Sequence, residues 1–399
     1  EGAPAPVRPA AQPTAEAEAA ARLAAFREVW RLAAERFYDR NMRGVDWEAT
    51  RVRFAPRAAA ARDDREFAAV VNEMLGTLGS SHTRYYTDRD SSYYFLRDAF
   101  RGMLGQSGIE WDDPGLVTVE RPEGTFVRDV LDGGAAAAAG VRVGDRIVTD
   151  GPFDLVGTFE GKAGTPVPLL LQSTPQGPVR RVEIVPRRIG GQRAYLEATQ
   201  ASVRRLPLPG GGEAGYVRLW ALSNWRFLGA LEQALTTLAG TGGLVLDLRG
   251  GYGGEVADYF DPFFRGDTGR LEVVDRDGRR RPFVVSWDGP VVVLIDEETR
   301  SAKELLAYGL KRAERARLVG TRTAGAVLGA RLFRITDRSL LLLPVTDFLV
   351  DGRRLEGVGV EPDVVVAAPL PYRNGADPQL ERALAELAAM QGAGTVGGG

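Results

Sequence analysis

Residues 244–254 read LVLDLRGGYGG, and residues 289–304 read GPVVVLIDEETRSAKE. Both begin with apolar runs of the kind found in strands that are buried on both faces of a sheet. The first run ends in a glycine-rich turn, and the second continues into a helix-forming segment. Together with a strand at 215–220 and a helix at 224–240, they form successive β–turn–α units. This alternation predicts an α/β core over residues 189–370, built on a mainly parallel sheet.

The segments before this core have a different pattern. Residues 105–188 contain short apolar strands separated by Gly, Asp and Pro, which predicts a β-rich domain. In its centre lie a short alanine helix closed by Gly140 and a turn at Gly144-Asp145. Residues 19–104 are predicted to be mainly helical, because apolar residues recur there every three or four positions.

At the two ends of the chain, apolar residues show little regular spacing. Residues 1–18 are rich in Ala and Pro and predict a flexible tether. Such a tether often follows a removed signal peptide, which favours export to a periplasm or to the outside of the cell. Residues 371–399 predict a C-terminal helix followed by a flexible tail. No stretch approaches the ~18 apolar residues that a membrane-spanning helix needs.

Composition excludes several classes of protein. The 53 acidic and 51 basic residues leave a net charge of −2, which gives no charge field suited to nucleic acid. The absence of Cys excludes a thiol nucleophile and thiolate-bound metal, and a single His excludes a histidine-rich metal site. Carboxylate sites for calcium or magnesium are still open by composition, but the sequence has no EF-hand spacing, and we expect no cofactor and no metal.

The candidate nucleophile and base are Ser301 and His82. His82 follows a predicted helix, and a lone histidine is more often structural than catalytic. Ser301 stands where a strand turns into a helix, so that its hydroxyl and the N–H of Ala302 would face a reacting carbonyl. The alternative is an ordinary N-cap, in which Ser301 and Glu304 form a capping box. These residues alone leave both interpretations open.

Two glycine-rich turns are further candidates. Successive glycines at 250–254 free backbone N–H groups to hold an anion, although a tight turn after a strand has the same composition. Glu356 lies in LEGVGVEPD at 355–363, where its carboxylate could orient an imidazole or simply face water.

The order of these motifs resembles that of the C-terminal processing and tricorn-type serine proteases. The matching motifs, in chain order, are SSHT at 80–83, a PDZ-like run at 140–147, GYVRL at 215–219, LVLDLRGGYGG at 244–254, SAKE at 301–304, VGTRTAG at 319–325 and EGVGVEPD at 356–363. The resemblance implies a serine endopeptidase with a PDZ domain and a crotonase-like core. Its substrates would be unfolded or C-terminally tagged proteins, cleaved through an acyl-enzyme at Ser301.

The resemblance also implies roles for individual residues. In the processing-protease branch a Lys base follows the T-x-G motif, but here that position is Ala326. The tricorn-like branch instead uses a histidine, which matches His82. Its preceding serine matches Ser81, and its orienting acid matches Glu356. Ser301 matches the nucleophile.

The implied oxyanion donors are the backbone N–H groups of Gly253 and Ala302, with Gly254 as the alternative to Gly253. Lys303 is a rival base. Side chains two positions apart on a helix point in different directions, however, and a lysine on a helix surface needs no catalytic role.

In the PDZ-like domain the resemblance implies a carboxylate-binding loop at Gly105, Gly108 and Ile109, which would receive substrate C-termini by strand addition. Two other functions remain open: a non-catalytic peptide-binding protein, and a carrier of lipophilic ligands on the same fold. The missing lysine favours the peptide-binding protein, and the resemblance of the eye's retinoid-binding protein to this core favours the carrier. The Ser, His and Glu set favours the enzyme.

Overall fold

The structure is a computed structural model that describes residues 15–264, 271–274, 276, 279–283 and 286–395. Residues 1–14 of the predicted tether and 396–399 of the predicted tail lie outside the described residues. No helix of the described part of the chain has both the length and the apolar composition needed to cross a bilayer.

Helices and strands alternate along the described residues, and the longest helices lie near the two ends. The helices are α1 (Ala15–Arg36), α2 (Trp47–Ala59), α3 (Asp64–Gly76), α4 (Ser91–Ala99), α5 (Arg101–Leu104), α6 (Ala135–Ala138), α7 (Leu155–Phe159), α8 (Gly191–Ala201), α9 (Trp225–Thr237), α10 (Asp261–Phe264), α11 (Ala302–Arg312) and α12 (Pro378–Thr395), with 3₁₀ turns at Met42–Gly44 and Ala257–Tyr259. The strands are β1 (Arg84–Thr87), β2 (Glu110–Asp113), β3 (Leu116–Arg121), β4 (Gly124–Val130), β5 (Arg146–Ile147), β6 (Val167–Gln172), β7 (Val179–Ile184), β8 (Arg187–Gly190), β9 (Arg204–Pro207), β10 (Glu213–Arg218), β11 (Ala221–Leu222), β12 (Leu244–Asp247), β13 (Tyr252–Gly254), β14 (Leu271–Val274), β15 (Arg280–Phe283), β16 (Val291–Ile295), β17 (Arg317–Gly320), β18 (Gly329–Thr336), β19 (Ser339–Thr346), β20 (Leu349–Val350), β21 (Arg353–Arg354) and β22 (Val364–Val365).

The chain divides into two compact units. Unit 1 holds the described residues up to Asp88 together with Ala330–Thr346, and unit 2 holds Arg89–Gly329 together with the residues from Asp347 onward. The sequence places residues 330–346 in the α/β core. In the structure they lie in unit 1, because β19 pairs antiparallel with β1. Helices α4 and α5, which the sequence assigns to the N-terminal helical segment, lie in unit 2.

Unit 1 packs α1, α2 and α3 against the sheet β1–β19–β18. The side chains of Asp46 and Asp63 cap α2 and α3 by accepting hydrogen bonds from the next turn, at 3.0 and 2.8 Å. Helix α1 begins at Ala15, so residues 15–18 of the predicted tether are helical. The core contains large apolar side chains from every element, among them Phe26, Phe54, Met74 and Leu341.

The main sheet of unit 2 has the strand order β22–β17–β16–β12–β10–β9. All neighbouring pairs from β22 to β10 run parallel, and β9 pairs antiparallel at the edge. Every residue of β12 and β16 is buried, as their apolar runs predict. The predicted α/β fold with a mainly parallel sheet is confirmed. Because β12 and β16 are neighbours, the glycine turn and the loop before Ser301 leave the same edge of the sheet.

A second sheet of unit 2 lies within the predicted β-rich segment. Strands β3 to β7 pair antiparallel in sequence order around an apolar cluster that includes Val127, Phe159 and Leu171. The short alanine helix α6 is followed by Gly140 at φ +73°, and the expected turn follows at Gly144, φ +88°. Left-handed backbone of this kind is adopted most readily by glycine, which explains both positions.

A buried ionic bridge fastens α12 to the main sheet. The guanidinium of Arg249, just after β12, donates to Asp247 at 2.6 Å and to Asp377 at 2.8 Å, and it also donates to Gln379 at 3.0 Å. Burial alone would raise the pKa of the Asp247 carboxyl, but Arg249 and Arg218 outweigh burial and lower that pKa well below its usual range. The bridge therefore depends on both charges being present.

We expect Arg249→Met to lower the free energy of unfolding by about 3–5 kcal/mol, because Asp247 is then buried without its main partner. Urea unfolding followed by tryptophan fluorescence measures this. The control is Arg193→Met, which removes the exposed ion pair with Glu197 and should cost less than about 1 kcal/mol. Equal, small losses for both variants would contradict the assignment of the bridge as a stabilising element.

Candidate active site

Ser301 lies at the N-terminus of α11 in a strained backbone conformation. Its φ of +59° and ψ of −132° place a non-glycine residue in the left-handed half of conformational space, which costs on the order of 1–3 kcal/mol. The backbone N–H of Ser301 donates to the carbonyl of Ala326 at 2.8 Å and to the carboxylate of Glu304 at 3.1 Å. This is the geometry that the nucleophile interpretation predicts at a strand-to-helix junction.

The carboxylate of Glu304 joins Ser301 to the T-x-G turn. It accepts hydrogen bonds from the Thr323 hydroxyl at 2.5 Å and from the N–H groups of Gly325 and Ala326, both at 2.7 Å. Burial raises the pKa of the Glu304 carboxyl, and these hydrogen bonds partly offset that effect. The capping contact expected from Glu304 is therefore present, and it supports the conformation of Ser301.

Gly253 packs directly against the candidate nucleophile. A Cβ atom on Gly253 would lie 2.5 Å from Ser301 Cβ, 2.9 Å from its Oγ and 3.0 Å from the backbone nitrogen of Ala302. A Cβ on Gly254 would instead clash with the carbonyl of Leu222. Gly253 is thus the glycine beside Ser301, which supports it over Gly254 as the second oxyanion donor.

The turn that carries Gly253 is anchored on both sides of the peptide group between Arg249 and Gly250. Arg218 donates to the carbonyl of Arg249 at 3.1 Å, and Asp296 accepts from the N–H of Gly250 at 3.2 Å. Gly250 and Gly251 follow with φ of +56° and +65°. Two consecutive left-handed residues are accessible to glycine at little cost, which explains this part of the motif.

Lys303 is not on the surface, as the sequence suggested, but fully buried at 0% exposure. Its amine donates to the carbonyl of Gly250 at 2.7 Å. Burial, together with the neighbouring Arg218, lowers the pKa of the Lys303 ammonium from 10.5 to about 7. The expectation was wrong because the side chain turns inward to a backbone carbonyl of the glycine turn.

Ser81 and His82 are adjacent in unit 1, between α3 and β1. The Ser81 hydroxyl lies 2.9 Å from Nδ1 of His82, so the two side chains are hydrogen-bonded. The Thr83 hydroxyl donates to the carbonyl of Ser81 at 3.0 Å. A hydrogen bond at Nδ1 influences which ring nitrogen carries the proton. His82 itself has a positive φ of 54°.

Glu356 lies in unit 2, on a turn that packs against the segment holding Ser301. Its half-buried carboxylate accepts from the N–H of Val327 at 2.9 Å, and the N–H of Gly357 donates to the carbonyl of Gly325 at 2.8 Å. Unit 2 thus brings Ser301 close to Gly253 and connects it with the Glu356 turn. Pairing of this set with Ser81 and His82 of unit 1 stays a prediction.

The predicted carboxylate-binding loop lies between α5 and β2. Gly105, at φ +61°, ends α5, and Gly108 and Ile109 lead into β2. The latter two line a cavity of about 620 Å³ together with Arg101 and Arg188. Within the described residues, no cluster of three or more His, Cys, Asp or Glu side chains could hold a metal ion.

Sequence reasoning missed Thr323 and the inward position of Lys303. The motif VGTRTAG pointed to the turn, but the hydroxyl contact of Thr323 with Glu304 depends on the folded arrangement. The sequence signal for this contact is limited to the S-A-x-E motif, which places Glu304 on the first turn of α11.

Comparisons with known proteins agree with the motif order. Residues 213–366 match the model of Peptidase family S41, and residues 18–76 match that of the Tricorn protease C1 domain. The chain is 28% identical over 410 residues to Tricorn protease homolog 1 of Streptomyces coelicolor, covering 92% of this chain and 35% of that protein. It is 29% identical over 370 residues to the chloroplastic C-terminal processing peptidase of Tetradesmus obliquus, covering 85% and 76%.

Among solved structures, the photosystem II D1 C-terminal processing protease is similar, with a TM-score of 0.52 and 25% identity over 91% of this chain and 97% of that chain. Residues 213–366 are thus similar to serine-type peptidases, and the described residues share a mixed α/β fold with the processing protease. The chain is similar to tricorn protease homologs and to C-terminal processing peptidases, in agreement with the motif order. It spans about a third of the length of Tricorn protease homolog 1.

We expect Gly253→Ala to slow the reaction of Ser301 with a fluorophosphonate probe by at least ~10²-fold, because the new Cβ displaces Ser301 and the backbone N–H that we expect to hold the oxyanion. The labelling rate, followed by mass spectrometry, measures this. The control is Gly229→Ala in α9, where a Cβ meets nothing within 4 Å and labelling should not change. A wild-type labelling rate in Gly253→Ala would exclude this glycine from the site.

Proposed function

We propose that the chain is a serine endopeptidase that cleaves unfolded or C-terminally tagged proteins through an acyl-enzyme at Ser301. The observation that carries this proposal is the left-handed backbone of Ser301 at the start of α11, with Gly253 packed against it. A strained turn of this kind presents a hydroxyl to substrate at the edge of the sheet. The family matches support the same chemistry.

In the proposed reaction Ser301 Oγ attacks the scissile carbonyl carbon while its proton passes to His82. The N–H groups of Gly253 and Ala302 stabilise the oxyanion, and each such donor is worth roughly 10²–10³ in rate. His82 then gives the proton to the leaving amine. In the second half, His82 takes a proton from water, whose oxygen attacks the ester carbon. The ester bond to Ser301 Oγ then breaks, His82 returns the proton to Oγ, and the acyl group leaves as a carboxylic acid.

We assign the base to His82 rather than to a lysine. The position that would carry a lysine base is Ala326, and its backbone already bonds Ser301 and Glu304. The hydrogen bond between Ser81 and His82 supports the assignment of Ser81 as the residue that orients the imidazole. Glu356 would supply the negative charge that stabilises the imidazolium.

We further propose that residues 105–188 form a PDZ domain that recruits substrate C-termini, and that the α/β core is crotonase-like. The five-stranded antiparallel sheet, the α6–Gly144 turn and the cavity at Gly108 and Ile109 support the PDZ assignment. A substrate C-terminus would add to the edge of β2 with its carboxylate at this loop. We also propose that the chain is exported, because the Ala- and Pro-rich residues 1–18 have the composition of a tether that follows a signal peptide.

Ser301→Ala and His82→Ala should each abolish cleavage of a fluorescently labelled, unfolded protein. Ser301→Ala should also lose all fluorophosphonate labelling, and His82→Ala should label at least ~10³-fold more slowly, because the hydroxyl has no base. Ser81→Ala should give only a partial loss. Wild-type protein that is folded but never labels would instead favour a non-catalytic peptide- or lipophilic-ligand-binding protein.

The same assay has a pH dependence that tests the base. With imidazole as the base, kcat/KM should rise through the ordinary titration range of histidine, roughly pH 6 to 7.5. Glu356→Gln keeps the shape of the side chain but removes its charge, so the rate should drop by at least about tenfold. A profile that is flat across this range would remove His82 from the mechanism.

The PDZ assignment predicts a separate effect on binding. Ile109→Asp places a negative charge at the proposed carboxylate loop, so KM for a peptide with a free C-terminus should rise about tenfold while kcat is unchanged. The matched substrate is the same peptide with an amidated C-terminus, whose KM should not respond to the substitution. An identical response of both peptides would show that this loop does not bind the carboxylate.

A further inference from the structure

We propose that Lys303 is a positioning residue, which holds the glycine turn 250–254 in the conformation that places Gly253 beside Ser301. This inference rests on the proposed function, because it concerns the oxyanion donor of that reaction. Lys303 lies in the first turn of α11, two positions after the nucleophile, and its amine bonds the carbonyl of Gly250 at 2.7 Å.

The geometry separates the role of Lys303 from that of a base. Side chains two positions apart on a helix diverge, and the amine of Lys303 reaches the turn rather than the hydroxyl of Ser301. A Cβ on Gly251 would lie only 3.0 Å from this amine, so the turn passes directly over it. Helix α11 therefore carries one oxyanion donor, Ala302, and also anchors the turn that carries the other.

The charges around the amine explain how it can be buried. Burying an ammonium costs several kcal/mol unless partners compensate it. Three carboxylates lower this cost, from Asp129 on β4, Asp247 on β12 and Asp296 after β16, whereas Arg218 on β10 opposes the positive charge. A methionine or leucine would occupy a similar volume without that cost, so what the lysine adds is its hydrogen bond.

This bond is the anchor that comes from α11. Other anchors of the turn come from Arg218 on β10, from Asp296 after β16, and from β11, which pairs with β13 and whose neighbour Trp220 accepts from the N–H of Tyr252 at 2.9 Å. These anchors are independent of the helix that carries Ser301. Gly250 and Gly251 have no side chains that restrain their dihedral angles. Lys303 is thus what ties the peptide between Gly250 and Gly251 to α11, and we expect its loss to loosen the position of Gly253 relative to Ala302.

The test compares Lys303→Met and Lys303→Leu, which lack a donor, with Lys303→Gln, which keeps one. We expect each donor-free variant to lose about 10²-fold in kcat with KM within about twofold, because a donor that acts in the transition state is displaced. Lys303→Gln should recover at least about tenfold of that loss. Rates of Ser301 labelling should change in parallel.

The matched control is Lys311→Met on the same helix, whose amine donates to the carbonyl of Glu361 at 2.7 Å, and its kcat should stay within about twofold. Thermal melting of every variant separates loss of fold from loss of rate. A folded donor-free variant with wild-type kcat would overturn the proposal, as would Lys303→Gln with no recovery. The wild-type protein is assayed before any variant. If it neither cleaves nor labels, the proposed function is wrong, and the variants are not needed to show this.

Discussion

Four hydrogen bonds to one buried carboxylate, that of Glu304, hold together the segments that form the candidate site. Three donors come from Thr323, Gly325 and Ala326, and the fourth is the backbone N–H of Ser301. The left-handed conformation of Ser301 is unfavourable by itself, and a buried carboxylate without donors would be unfavourable as well. The same contacts compensate both costs. The strand-to-helix junction, the T-x-G turn and the position of Ser301 are thus parts of one arrangement.

Much of this arrangement could be predicted because its signals are local. Apolar runs identify β12 and β16, and the S-A-x-E motif identifies the start of α11. The burial of Lys303 could not be predicted, because its partner is 53 positions away and most lysines are exposed. The pairing of β19 with β1 was missed for a similar reason: strand patterns show that a segment is extended, but not which strand it joins. Distant contacts of this kind decide which compact unit a segment enters.

Two interpretations that compete in the sequence are compatible in the structure. Ser301 as an N-cap residue and Ser301 as a nucleophile were alternatives, yet Glu304 caps the N–H of Ser301 while the residue keeps a left-handed backbone. Capping supplies the compensation that the strained backbone of Ser301 needs. Ala326 has a related role. Where a processing protease places its lysine, this chain uses the backbone of Ala326 to accept from Ser301 and donate to Glu304.

The buried amine of Lys303 links the folding of unit 2 to the exchange of a proton. In the folded chain its pKa is about 7, because of burial and the neighbouring Arg218, whereas an unperturbed lysine titrates at 10.5. Between these values the unfolded chain binds a proton that the folded chain has released, so this group makes the fold more stable as pH rises through that window. Below about pH 7 both states carry the proton, and the full cost of burying the charge remains. Unfolding in mildly alkaline solution therefore takes up a proton from the buffer, and the heat measured by calorimetry there includes the ionisation enthalpy of that buffer.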